Sequence, residues 1–340
     1  MEKVLVTGAS GFIALHCIQQ LLDEGYLVRG TVRNEEKSQE VIKAMTQHSK
    51  QPNNLELVET DLLSDKGWDE AVQGCDYVLH VASPFILHEP KKEEDLINPA
   101  VEGSLRVLKS CTGKNVKKVV LTSSFAAIGY GHDKDIYDET DWSIPESTRG
   151  TIGAYAKSKT FAEKASWDYV AQLSDENKFE FTVINPVAVT GPMLSSDIGT
   201  SNSMFIQLCN GSMPACPRIH IGFVDVRDVA KAHLFAMKSA ATNGERIIVS
   251  EKEMFFAEIG QVLKDAGFKQ APTREMPDFL VKIMALFIKQ LSGLKRSLGH
   301  TVFADKSKAK KLFNWEYISA EDSAIETAEE LVSMGLISKK

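Results

Sequence analysis

The chain has 340 residues, enough to bury a sizeable core and to divide into one larger and one smaller unit. Its composition is that of an ordinary globular protein, 43% apolar and 25% charged, with no low-complexity tract and no internal repeat. A net charge of −7 argues against nucleic acid or an anionic membrane as the main partner, yet leaves an anionic cofactor open, because local positive groups read such a ligand.

Lys3–Thr7 is predicted as the first strand. It runs into Gly8-Ala9-Ser10-Gly11-Phe12-Ile13-Ala14, a glycine turn that starts a helix over Phe12–Glu24. Gly8 permits a sharp turn, and Gly11 lets backbone approach a pyrophosphate at the helix N-terminus. The turn at the first strand of an alternating pattern places Gly8, Ser10, Gly11, Phe12 and Ile13 against a dinucleotide. The second strand, Leu27–Val32, ends in Arg33-Asn34. A site preferring NAD usually carries an acid about 20 residues on from the glycine turn. Arg33 stands there instead, suited to stack on the adenine or clamp a 2′-phosphate, with Lys37 one turn later; this placement predicts NADP over NAD, the alternative being an ordinary surface arginine. A helix over Lys37–His48 follows, with Glu35 and Glu36 suited to its first turn.

Leu55–Glu59, Tyr77–Val81 and Lys118–Thr122 are the next strands, and Glu94–Thr112 reads as a helix. Several strands are almost wholly apolar, as expected when both faces of a sheet are covered. The last of these strands delivers Ser123 and Ser124 at its C-terminal tip, where a doubly wound sheet puts its chemistry. Either serine also suits a cap on the following backbone. The helix Ala154–Leu173 carries Tyr155 and Lys159, four residues apart and so on one face. A phenol ordinarily titrates near ~10. An ammonium beside it favours the phenolate and makes the phenol a usable acid at neutral pH.

Phe181–Asn185 is the sixth strand. After Pro186, Gly191 to Pro217 reads as loops around one short helix, then a strand (Ile219–Val224), a helix (Val226–Met237), a strand (Arg246–Val249) and helices to the C-terminus. Strands alternating with helices predict an α/β protein with a Rossmann-type, doubly wound parallel sheet. Residues 1–190 with 219–250 are assigned to an NADP-binding domain, and 191–218 with 251–340 to a smaller substrate-binding region. The whole region after Pro186 is expected to build no sheet of its own and to pack over the strands' C-terminal edge.

The order of glycine turn, strand-end serine and Tyr-x-x-x-Lys resembles the extended short-chain dehydrogenase/reductases. Within them the chain is most similar to the branch of dihydroflavonol reductase, cinnamoyl-CoA reductase and yeast or bacterial aldehyde and ketone reductases. The matching stretches are Val28 to Arg33, His80 to Phe85, Asn98 to Ser104, Asn185 to Pro192 and Phe223 to Ala230. The resemblance covers roughly Met1 to Ser250 and runs more loosely through the tail. It implies Ser124, Tyr155 and Lys159 as the catalytic set, with Lys159 also holding the nicotinamide ribose. It implies Asp61 and Leu62 at the adenine edge, Ala82 and Ser83 at the pyrophosphate and ribose, and Pro186 and Val189 beside the nicotinamide. Many relatives carry an asparagine where Ala100 stands, so no catalytic asparagine is assigned, and Asn98 does not replace it. The implied reaction is NADPH-dependent reduction of an aldehyde or ketone.

Phe85, Phe125, Ile128 and Tyr130 follow the relevant strand ends and are expected to line an apolar pocket, with Met193, Met204 and Phe205 closing it. Core packing accounts for each of these equally well. An apolar pocket without a clustered basic patch suits a small carbonyl better than a nucleotide sugar or an acyl-CoA thioester. A nucleotide-sugar epimerase or dehydratase with tightly held NAD, and a non-enzymatic dinucleotide sensor, are the competing readings. His80 reads as a core histidine, and His132, His220 and His233 have no acid or nucleophile at telling spacing. Asp225 or Asp228 reads as a helix cap, and the Lys306–Lys311 run as a solvated helix face.

Cys17, Cys75, Cys111, Cys209 and Cys216 form no Cys-x-x-Cys pair and have no histidine at ligand spacing, so no metal is expected. Their odd number, with no secretory leader before the first strand, predicts reduced thiols and a cytoplasmic protein, monomer or homodimer. The apolar stretch Phe279–Leu291 carries two lysines and is too short to cross a bilayer, so no membrane is expected as a partner.

Overall fold

The computed structural model describes residues 1–84, 90, 92–147, 150–286 and 297–339. In chain order the first half runs β1 (Lys3–Val6), α1 (Phe12–Asp23), β2 (Leu27–Val32), α2 (Glu35–His48), β3 (Leu55–Glu59), α3 (Trp68–Val72), β4 (Tyr77–His80), α4 (Glu94–Cys111) and β5 (Lys118–Thr122). There follow α5 (Ala154–Ala171), β6 (Glu180–Pro186), β7 (Ala188–Thr190), α6 (Ser203–Cys209), β8 (His220–Asp225), α7 (Val226–Lys238), β9 (Arg246–Val249) and β10 (Lys252–Phe255). The tail adds α8 (Phe256–Asp265), α9 (Asp278–Met284), α10 (Ser307–Leu312) and α11 (Ala320–Ser333).

Seven strands form one parallel sheet in the order β9-β6-β5-β4-β1-β2-β3. Because side chains alternate along a strand, the sheet feeds two apolar clusters. Val4, Val6, Leu79, Val120 and Ile184 pack with Leu15, Ile18 and Leu22 of α1 and Val229 of α7. Leu5, Val78, Val119, Phe181 and Val183 pack with Trp68 of α3, Val107 and Leu108 of α4, and Trp167 of α5. Each such side chain, once fully buried, contributes about 1.5–3 kcal/mol. The doubly wound architecture expected from the alternating pattern is therefore present.

The region after Pro186 departs from expectation. It does build a sheet: β8 pairs with β7 in parallel and with β10 antiparallel. The two strands of the segment 219–250 pair in different sheets. Residues His220–Asp225 go to the smaller sheet, and Arg246–Val249 become the edge strand of the larger one. β7 has three residues and β10 reads Lys-Glu-Met-Phe, too short and too polar to announce a strand. Their stability comes from pairing with a distant β8 rather than from local pattern. Among the described residues no helix is long and apolar enough to cross a membrane.

Candidate active site

The glycine turn sits where the ends of β1, β2 and β4 meet. Gly8 has φ +67°, and a Cβ there would lie 2.9 Å from the Ala82 side chain. Only glycine combines that backbone with so close a neighbour. The Gly8 N–H donates to Thr31 Oγ1 (3.1 Å), and the Ala9 N–H to the Thr31 carbonyl (2.8 Å). Thr7 Oγ1 accepts the Ala82 N–H (3.0 Å) and lies 2.8 Å from His80 Nδ1. These bonds fix Ala82 and Ser83 beside the turn.

Gly11 is the N-cap of α1, where no side chain caps the helix and no acid lies in its first turn. By contrast α2 is capped by Asn34, which accepts the Lys37 N–H, and it opens with Glu35 and Glu36. Asp225 caps α7. The start of α1, at Phe12 and Ile13, thus keeps its backbone donors and positive dipole end for an outside anion, and it fits the diphosphate of a dinucleotide. Ser10 lies within the same turn.

Arg33 is exposed at the end of β2 and makes no ion pair among the described residues. Lys37, one turn further, bridges Glu40 at 2.8 Å. Asp61 is exposed and accepts the Leu63 N–H (2.9 Å), so it shapes a turn rather than a helix start. Leu62 packs on α4 at Gly103, where a Cβ would lie 3.2 Å from the leucine. Pro186 and Val189 are buried at the end of β6 and in β7.

The two serines after β5 separate into different tasks. Ser124 Oγ accepts the Ala126 N–H (3.1 Å) and caps the short turn Phe125–Ala127. Among the described residues its hydroxyl donates to no partner. Ser123 turns inward and donates to Glu163 Oε2 at 2.5 Å. α5, which carries Tyr155 as its second residue, packs against the turn that Ser124 caps.

Tyr155 is 44% exposed, although most of its helix neighbours are buried. Lys159 Nζ stands 6.0 Å from the centre of the Tyr155 ring, and Lys159 pairs with no carboxylate among the described residues. His80 is fully buried; burial first, and then the Lys159 charge, drive its pKa down to about 3. It is a core histidine, as expected, held through Nδ1, while its buried Nε2 has no hydrogen-bond partner among the described residues. His132 meets the Trp142 carbonyl (2.7 Å), His220 the Val302 backbone (3.1 Å), and His233 sits between Thr122 Oγ1 (2.6 Å) and the Val229 carbonyl (2.8 Å).

Lys157 and Glu163 were not legible as site residues. Lys157 lies between Tyr155 and Lys159 in sequence but bonds Glu93 (2.7 Å) and Glu146 (2.8 Å), which raise its pKa. Glu163 lies one turn beyond Lys159 and is buried among Ser123, Asn185, Trp167 and Arg246. A small cavity, about 10 Å³ and so room for one water, is walled by Ala82, Ser83, Ser104, Ser123, Lys159 and Glu163.

Phe85 lies outside the described residues. Phe125 and Ile128 are packed into an apolar cluster with Tyr137, Ile248 and Ala304, in keeping with the core-packing alternative. The Phe125 ring meets Tyr137 edge-on at 6.0 Å. The inward turn after Ser124 carries these side chains into the core. Tyr130, at 38% exposure, is the member that reaches the surface. Met193 and Phe205 are likewise buried, in the main core.

Residues 4–250 match the model of the NAD dependent epimerase/dehydratase family. The NADPH-dependent methylglyoxal reductase GRE2 of Saccharomyces cerevisiae is 35% identical over 352 residues, covering 97% of this chain and 98% of that protein. Cinnamoyl-CoA reductase CAD2 of Medicago truncatula is 34% identical over 334 residues, covering 96% and 95%. The solved structure of yeast methylglyoxal/isovaleraldehyde reductase Gre2 complexed with NADPH superposes with a TM-score of 0.79 at 30% identity, covering 98% of this chain and 100% of that one. The chain belongs to the NAD dependent epimerase/dehydratase family, among the extended short-chain dehydrogenase/reductases that its motifs resemble.

Proposed function

We propose that this protein is an NADPH-dependent carbonyl reductase that converts a small aldehyde or ketone to its alcohol. It is an NADP-dependent oxidoreductase, similar over nearly its whole length to reductases of carbonyl compounds. What supports the reading is that α5, with its exposed Tyr155 and with Lys159 facing that ring, packs against the turn that Ser124 caps.

Gly8, Gly11 and the first turn of α1 hold the diphosphate, and Arg33 with Lys37 takes the 2′-phosphate. Asp61 and Leu62 border the adenine, and Ala82, Ser83, Pro186 and Val189 border the ribose and nicotinamide. When bound, NADPH supplies a hydride to the carbonyl carbon. Charge then builds on the carbonyl oxygen. Ser124 donates a hydrogen bond to that oxygen, and Tyr155 hydrogen-bonds it and delivers the proton. Lys159 stabilises the phenolate that is left. The five described thiols are all free and buried, which supports placement in a reducing cytosol.

NADPH oxidation followed against a panel of aldehydes, diketones, dihydroflavonols and acyl-CoA thioesters tests the reading. Turnover is expected with small aldehydes or ketones. Purified protein that carries NAD⁺ and consumes no NADPH points instead to a closed epimerase-type cycle. Binding of NADPH with no turnover across the panel points to a sensor.

A further inference from the structure

Tyr155, Lys159 and Glu163 recur every four residues along one face of α5, and Glu163 is 1% exposed. Its carboxylate joins four elements. Oε2 accepts from Ser123 Oγ (2.5 Å) at the end of β5 and from Asn185 Nδ2 (2.8 Å) in β6. Oε1 accepts from Arg246 Nε (2.5 Å) in β9 and from Trp167 Nε1 (3.4 Å) one turn on. Asn185 Nδ2 also reaches the Ser124 carbonyl at 3.3 Å. Arg246 is held in turn by the Glu139 (2.8 Å) and Asp141 (2.6 Å) carbonyls and lies over the Trp142 ring at 3.7 Å.

Burying an ion pair is a poor route to stability, since apolar side chains of similar volume commonly hold a fold as well. What this pair adds is direction. Glu163 grips the residue before Ser124 by its side chain, and it grips the Ser124 backbone through Asn185. It also shares the walls of the one-water cavity with Lys159.

We propose that Glu163 is a positioning residue for carbonyl reduction, setting the Ser123–Ser124 strand end and the Lys159 ammonium relative to Tyr155. The proposal rests on the roles given above to Ser124, Tyr155 and Lys159. Misplacement of a catalytic group by about an ångström costs up to about a hundredfold in rate.

Ser123→Ala removes one donor and leaves the Glu163–Arg246 pair in place. It is expected to lower kcat by about tenfold, with the KM for NADPH within about twofold and the Tm within a few degrees of wild type. Glu163→Gln strands the Arg246 charge and lowers the Tm. Glu163→Gln with Arg246→Met removes both charges; its Tm is expected to recover while kcat stays at least about tenfold down.

Wild-type kcat in Ser123→Ala, or kcat recovering with Tm in the double variant, overturns the proposal and leaves Glu163 as a neutralising partner only. Should the double variant not fold, Ser123→Ala alone decides. Tyr155→Phe run alongside separates the layers. Turnover lost there with wild-type kcat in Ser123→Ala sinks the positioning role alone. Turnover kept in Tyr155→Phe sinks the underlying assignment, and the proposal with it.

Discussion

Ser124 shows how a side chain can serve the fold and still offer chemistry. Its oxygen accepts the Ala126 N–H, and among the described residues its hydroxyl donates to no partner, which leaves it the donor that the proposed reduction needs. By residue type Ser123 and Ser124 are indistinguishable, and only the family resemblance favours Ser124; the structure separates them because Ser123 has Glu163 as an acceptor 40 residues away. Helical spacing puts Tyr155 and Lys159 on one face, and it is the glycine turn and the strand-end serines upstream that single the pair out in sequence. Tyr155→Phe is expected to lower kcat by about 10²–10⁴, the range that general acid catalysis supplies, with NADPH affinity retained by fluorescence titration. A loss smaller than about tenfold removes Tyr155 from the role of acid. Arg33 offers a second test, being exposed and without an ion-pair partner among the described residues. Arg33→Ala is expected to raise the KM for NADPH by about tenfold or more and to leave that for NADH nearly unchanged. Equal effects on both cofactors contradict the 2′-phosphate role.

At the scale of elements, α1 and α5 divide the work. α1 begins at Gly11 with no side-chain cap, a local omission that the glycine turn announces in sequence. Gly8→Ala puts a Cβ at φ +67° and 2.9 Å from the Ala82 side chain. That strain costs of order 1–3 kcal/mol and displaces the turn. Calorimetry is expected to show a lower Tm, and titration a Kd for NADPH raised about tenfold. An unchanged Kd contradicts placement of the cofactor at this turn. α5 carries Tyr155, Lys159 and Glu163 on one face and sends Lys157 to Glu93 and Glu146, anchoring the segments that flank the helix start. That clamp joins residues 64 and 11 positions apart, and the Glu163–Arg246 pair spans 83. No local periodicity encodes such distances, so these contacts escaped the sequence, as did the three-residue strand β7.

Among the described residues, three histidines are held neutral in the core of the molecule. Burial lowers the pKa of His16 and of His233 to about 4, and that of His80 to about 3. Unfolded, each titrates near ~6.5, so as pH falls through that value the unfolded chain takes up protons first. Stability is therefore full above about pH 6.5 and is lost from there down to about pH 4, at up to about 1.4 kcal/mol per pH unit for each histidine. Burial raises the carboxyl pKa of Glu139, Asp228 and Glu251, which gain stability on acidification and oppose the loss just above the usual carboxylate range. The histidine slope is thus cleanest between about pH 6.5 and 5.5, where denaturant titration should show it. A flat profile there contradicts neutral burial.

The most direct test of the reductase follows the transferred hydrogen. NADPH carrying deuterium at C4 of its nicotinamide, on either face in separate reactions, is incubated with the enzyme and a small aldehyde. Mass spectrometry of the alcohol is expected to show one deuterium at the former carbonyl carbon from one labelled face and none from the other, with stoichiometric NADP⁺ formed. No deuterium in the product from either face, or a cofactor that ends the reaction unchanged, contradicts the proposed chemistry.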